Sequence, residues 1–188
     1  PSLTFAASAN VILYENAVPV FFDVHPSSWT INPDILEQQI TKYNPKAIIS
    51  VDLYGQSCDY EQISFICKKH DIILIEDAAE SLGSEYLDKK CGSFGHMAVL
   101  SFNGNKIITT SGGGMLLSNN EDYISKAHFL STQARENEIY YEHKELGYNY
   151  RLSNILAGIG RGQLSAIEDK VKARRNIFDY YKNSLDFI

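Results

Sequence analysis

Ile72-Ile73-Leu74-Ile75-Glu76-Asp77 is a run of four apolar, β-prone residues closed by two carboxylates. A strand with one wet face alternates apolar and polar residues. An unbroken apolar run instead marks a strand covered on both faces, as in a parallel sheet packed between helices. Upstream, Glu61 to His70 reads as an amphipathic helix, and Lys46-Ala47-Ile48-Ile49-Ser50-Val51 as a second apolar strand. Asn32-Pro33-Asp34 opens a helix that runs to about Tyr43, with proline in its first turn. Val18-Pro19-Val20-Phe21-Phe22 predicts a third strand, and residues 1–15 predict a helix from Phe5, Val11, Ile12 and Tyr14. Strands alternating with helices of about ten residues give βαβαβ, the pattern of an α/β fold with a mostly parallel sheet and helices on both faces.

Downstream the rhythm changes. Residues 97–102 and 114–117 predict two strands joined by a short polar, glycine-rich stretch, hence an antiparallel pair or edge. A helix follows over about Asp122 to Leu130, and a long one over about Asn154 to Tyr181. Residues 132–150, polar and aromatic, predict a loop. The chain opens Pro1-Ser2-Leu3 without Met and stops at Ile188 in a tyrosine-rich, helix-like run, so a piece of a longer protein is expected.

The 188 residues suffice for a real core. The net charge of −6 argues against a nucleic-acid binder, whose affinity comes from clustered Lys and Arg. No apolar run approaches the ~20 residues of a membrane helix. Cys58, Cys67 and Cys91 form no CxxC pair and read as reduced thiols of a cytoplasmic protein. His25, His70, His96, His128 and His143 lack ligand spacing and read as surface or satisfied histidines, not a metal site.

Three segments could carry chemistry. In open parallel sheets ligands gather beyond the carboxyl ends of strands, which is where Glu76 and Asp77 fall. A carboxylate there serves a cofactor, or Asp77 merely caps a helix beginning at Ala78-Ala79. In Ser101-Phe102-Asn103-Gly104-Asn105-Lys106-Ile107-Ile108-Thr109-Thr110-Ser111-Gly112-Gly113-Gly114 a lysine sits among hydroxyls, amides and glycines. Glycines let backbone N–H groups approach a ligand, and a desolvated lysine becomes a nucleophile toward carbonyls. The alternative is a solvated lysine beside a hairpin turn. Gly147-Tyr148-Asn149-Tyr150-Arg151 precedes the last helix, where an anion is favoured; the alternative is loop polarity plus capping by Ser153.

Ser2-Leu3-Thr4-Phe5, Glu76-Asp77-Ala78-Ala79-Glu80-Ser81-Leu82-Gly83, the Ser101 to Gly114 segment and Gly147-Tyr148-Asn149-Tyr150-Arg151-Leu152-Ser153-Asn154 together resemble the DegT/DnrJ/EryC1/StrS sugar aminotransferases. The four occur in family order across nearly the whole chain. The Lys106 segment and Ser131-Thr132-Gln133-Ala134-Arg135-Glu136 are most similar to the branch that makes UDP-N-acetylbacillosamine precursors.

The resemblance implies a fold-type I aminotransferase large domain with pyridoxal 5'-phosphate (PLP) as cofactor. Lys106 would hold the cofactor covalently and shuttle a proton. Asp77 would pair with the ring nitrogen, Phe5 would stack on the ring, and Ser101 would bind the phosphate. Asn149 would reach the phosphate of a neighbouring subunit's cofactor, in a homodimer with shared active sites. Glu80 would belong to the cofactor-binding residues, at a position where many members carry His or Gln and where Glu also occurs in the bacillosamine branch. Relatives that dehydrate sugars replace the lysine with His. The resemblance further implies that residues 1–188 cover most of the large domain, without the N-terminal Gly-[Ser/Thr]-Ala-Ala-type phosphate motif and the C-terminal small domain. It implies glutamate as donor and a UDP-linked 4-keto-6-deoxy sugar as acceptor. Alternatives are another keto-sugar nucleotide, as in GDP-perosamine synthesis, or a non-catalytic PLP-fold binding or regulatory fragment.

Overall fold

The computed structural model describes residues 1–185; Ile188, where the tyrosine-rich run stops, lies outside the described residues. Four strands, β1 (Ala47–Val51), β2 (Ile73–Asp77), β5 (Met97–Ser101) and β6 (Gly114–Leu117), form a sheet in the order β1-β2-β5-β6. The β1–β2 and β2–β5 pairings are parallel, and β6 closes the edge antiparallel to β5. The α/β architecture and the antiparallel edge are as expected. A small hairpin, β3 (Glu85–Tyr86) and β4 (Lys89–Lys90), stands apart.

The helices begin where their caps dictate. Asn32 accepts from the N–H groups of Asp34 and Ile35 to start α2 (Pro33–Tyr43), with Pro33 in the first turn. Asp59 does the same for α3 (Tyr60–Lys69) through the Gln62 N–H. Leu36 and Ile40 of α2, Ile63 and Ile66 of α3, and Leu74 of β2 share one buried core. Side chains alternate across a strand. Leu74 and Glu76 therefore share that packed face, while Ile73, Ile75 and Asp77 face the other. There α1 (Ala6–Tyr14) meets Asp77 through Ser8. The alternation of β2 thus sends Glu76 into the core and Asp77 to the opposite face, against α1.

Two expectations are corrected. Residues 18–22 are not a strand: the segment is exposed at Val18 and Phe21, and only an isolated bridge, Val24 to Ile31, follows it. The third parallel strand is β5 instead. The long C-terminal helix is two, α5 (Asn154–Leu164) and α6 (Ile167–Ser184), with the break at Ser165 and Ala166. Between β6 and α5 lie α4 (Glu121–Ser131) and the expected loop, pinned by bridges Thr132 to Asn149 and Arg135 to His143. Among the described residues no helix is long and apolar enough to cross a membrane.

Glu76 is fully buried and accepts three backbone N–H groups, from Gly92, Phe94 (3.0 Å) and Gly95 (3.3 Å). Burial pushes its carboxyl above the ordinary value of 4.5, against the pull of those N–H donors. A carboxyl that binds its proton more tightly in the folded state adds stability fully present below the unfolded value. That stability is lost as pH rises through the folded value. Glu76→Gln should therefore flatten the melting temperature against pH above about 4.5. Its amide NH2 must also face one backbone N–H, at a cost of about 1–3 kcal/mol. Thermal melts of both proteins from acid to neutral pH check both effects.

Candidate active site

β2 delivers Asp77 to the carboxyl edge of the sheet, and no helix follows. Residues 78–84 form turns: the Ala78 N–H bonds Val99 O (3.0 Å) and the Ser81 N–H bonds Ala78 O (3.1 Å). The helix-cap reading of Asp77 is thereby corrected. Its carboxylate accepts from Ser8 Oγ at 2.7 Å on Oδ2 and from the Ala79 N–H at 3.2 Å on Oδ1. Asp77 itself is half-buried.

Lys106 lies in the loop between β5 and β6, and that loop is tied at several points. Phe102 O accepts from the Thr110 N–H (2.9 Å) and from Thr109 Oγ1 (3.1 Å). Gln163 of α5 accepts from the Thr109 N–H at 3.2 Å and donates back to Thr109 O. Gly113 adopts φ +95°, and a Cβ there would meet Leu152 Cδ1 at 2.6 Å, so the glycine serves both conformation and packing. The Lys106 side chain is only 16% exposed, with Nζ 3.2 Å from Glu80 Oε1. A solvated hairpin lysine is not what this loop holds.

Glu80 is held from the other side by the Tyr54 N–H, 2.7 Å from Oε2. That N–H is aimed by the turn after β1, a 3-10 turn over Leu53–Gly55 in which Tyr54 takes φ 55°. Lys106, Glu80, Tyr54 and Ser101 line a cavity of about 530 Å³, with Arg174 and Phe178 of α6 opposite. Phe5, Asp77 and Asn149 do not line it, but Ala79, whose N–H binds Asp77, does. Phe5 is the N-cap residue of α1, the helix that carries Ser8, and the residue is 79% exposed. Ser101 Oγ accepts from the Asn103 N–H at 3.3 Å and keeps its own proton to give. Asn149 is exposed on the loop bridged to Thr132. Ser153 caps α5 through the Leu156 N–H, and Arg151 Nη1 lies 3.0 Å from His128 Nε2.

Behind the site is a polar layer that sequence reading does not find. Asp52, fully buried, accepts from the Cys58 N–H (2.9 Å), Tyr60 Oη (2.7 Å) and Ser81 Oγ (2.8 Å). Its own N–H donates to Asp77 O at 3.1 Å. The ligating atoms of Asp52, Glu76 and Cys91 lie within 4.8 Å of one another. Every carboxylate oxygen of the pair already accepts from a protein donor, so the two carboxylates brace the turns beneath Asp77. Burial pushes the Cys91 thiol up to about 12 and the Cys67 thiol up to about 11, and raises Cys58 further. All three cysteines are free and buried, and protonated thiols of this kind are poor nucleophiles.

The DegT/DnrJ/EryC1/StrS aminotransferase family model matches residues 1–188. Over 98% of the chain, 54% of residues are identical to "Putative pyridoxal phosphate-dependent aminotransferase EpsN" of Bacillus subtilis, of which 49% is covered. GDP-perosamine synthase of Caulobacter vibrioides is 42% identical over 98% of the chain and 50% of its own length. UDP-4-amino-4,6-dideoxy-N-acetyl-beta-L-altrosamine transaminase of Campylobacter jejuni is 37% identical over 98% and 50%. A DegT DnrJ EryC1 StrS aminotransferase from Brucella abortus superposes with a TM-score of 0.92 at 34% identity, over all of this chain and 52% of that one. The chain spans about half the length of the curated relatives it matches.

Proposed function

We propose, from the premise that this chain belongs to the DegT/DnrJ/EryC1/StrS aminotransferase family, that the complete protein is a PLP-dependent sugar-nucleotide aminotransferase. It moves an amino group from glutamate to a UDP-linked 4-keto-6-deoxy sugar and yields a 4-amino sugar nucleotide. The observation that carries this is Lys106: a largely buried amine in a cavity, held by Glu80, on a loop tied to α5. A family member that used this pocket only to bind would have no need of that amine.

The residues fit the cofactor. An amine, a half-buried carboxylate with lone pairs to spare and an exposed aromatic ring are what an aldehyde, a ring nitrogen and a ring face require. When bound, PLP supplies an electron sink for the carbanion at the reacting carbon. Lys106 Nζ takes and returns the proton at that carbon. Asp77 would hold the ring nitrogen, Phe5 would cover the ring, and Ser101 would donate to the phosphate. Glu80 receives the ammonium of Lys106 whenever the lysine is not engaged. Asn149 of a second protomer completes the phosphate site in a two-fold homodimer. The exposed rings of Tyr140, Tyr141 and Tyr150 on the same loop support such an interface.

UDP is favoured by the bacillosamine-like segments and by the UDP-linked 4-amino sugar for which the Campylobacter relative is named. The 42% identity to a GDP-perosamine synthase supports a second reading, a GDP-linked keto-sugar. Turnover of UDP- and GDP-linked 4-keto-6-deoxy sugars with glutamate separates them. The expected result is a preference of about 100-fold or more in kcat/KM for UDP, since a misfitted polar base leaves buried partners unpaired. A preference for GDP overturns the substrate assignment, and no amino transfer to either overturns the function.

A further inference from the structure

Ser8 is the one buried residue of α1, a helix that otherwise exposes Ala6, Ala7 and Leu13. Its partner is 69 residues away in sequence: Ser8 Oγ lies 2.7 Å from Asp77 Oδ2. Thr4 Oγ1 lies 3.1 Å from Ser8 Oγ. The direction of this chain follows from proton counting. A carboxylate only accepts, so the single Ser8 proton goes to Asp77, and the one Thr4 proton is shared between Phe5 O, at 3.3 Å, and Ser8 Oγ. The other oxygen, Oδ1, takes the Ala79 N–H, and the Asp77 main chain is fixed by β2 and by the Asp52 N–H. Ser8 also stands three residues after Phe5, and its N–H donates to Phe5 O at 3.2 Å. One short helix therefore carries both an exposed aromatic ring and the hydroxyl that grips the carboxylate.

We infer that Ser8 is a positioning residue that fixes the orientation of the Asp77 carboxylate for the ring nitrogen of the cofactor. The inference rests on the reading of Asp77 as the cofactor's partner. Without Ser8 the carboxylate keeps only the Ala79 N–H and can rotate about its last bond. The population competent to hold a ring N–H then falls, and cofactor affinity falls with it.

The test is a double-mutant cycle in the complete protein with Ser8→Ala, Asp77→Asn and the pair. PLP affinity is read by absorbance titration of the apo form, and melting temperature is read without cofactor. Alanine has the best helix propensity, so α1 should form in the variant. Ser8→Ala should weaken PLP binding about ten-fold, as expected for a hydrogen bond to a charged group. It should do so with little change in apo melting temperature, and have no further effect in the Asp77→Asn background. Ser8→Cys, of similar volume but a weaker donor, should fall between. Wild-type PLP affinity in Ser8→Ala, with affinity lost in Asp77→Asn, overturns this inference alone. So do additive effects in the cycle, which would mark a structural serine. Unchanged PLP affinity in Asp77→Asn overturns the reading of Asp77 itself.

Discussion

Lys106→Ala in the complete protein should abolish amino transfer while leaving the fold intact. The expected loss is more than about 10⁴-fold, because removal of a general acid–base group alone costs about 10²–10⁴-fold and the covalent attachment goes with it. Stability should fall by no more than about 3 kcal/mol, the low end for removing one partner of a buried ion pair. The reason is local. Lys106 makes one ion pair, to Glu80, and Glu80 keeps its bond from the Tyr54 N–H when the lysine is gone. The loop itself is held by Phe102, Thr109 and Gln163, not by the lysine side chain. Steady-state rates and a thermal melt on the same preparation check this. Near-normal turnover would remove Lys106 from the chemistry.

Asp77→Asn should cut kcat by about 10²–10³-fold, the usual loss when one preorganised charge is removed from a reacting centre. The shape is kept, and the network can adapt. The asparagine oxygen can serve the Ala79 N–H, its amide can donate to Ser8 Oγ, and Ser8 can turn its proton to Thr4. The stability cost should therefore stay near about 1 kcal/mol. A variant that melts much earlier but keeps its kcat would make Asp77 a structural residue.

Much of this fold is legible in the sequence because local and global signals agree. α2 announces itself by Asn32 and Pro33 at its start, α3 by its amphipathic run, and β1 and β2 by apolar runs too short for helices. Residues 18–22 mislead because β propensity is a statement about a packed surface, and here the segment finds no neighbouring strand. The break at Ser165 and Ala166 is silent because neither residue is a strong helix breaker and the helical pattern continues across it. The β3–β4 hairpin hides because Leu87 and Asp88 take positive φ at the turn, where glycine or asparagine would have signalled it.

In the candidate site, Lys106 and Asp77 stand out by residue type and by place relative to strand ends. Ser8, Tyr54 and Asp52 do not. Each acts through a partner brought near only by folding: Ser8 on Asp77, Tyr54 on Glu80, Asp52 on Ser81. Glu76 and Asp77 are adjacent and chemically alike, yet the pleat sends one into the core beside Leu74 and the other to the edge with Ser8. Periodicity could have separated them, but only once the packed face of β2 was known.

The central claim is that Lys106 is the amine that carries the cofactor. It is tested most directly by adding PLP to the complete protein, reducing with borohydride and mapping the labelled peptide by mass spectrometry. The account predicts a single phosphopyridoxyl group on Lys106, and none at any site in Lys106→Ala. A label on another lysine, or no label on a protein that binds PLP, would contradict it.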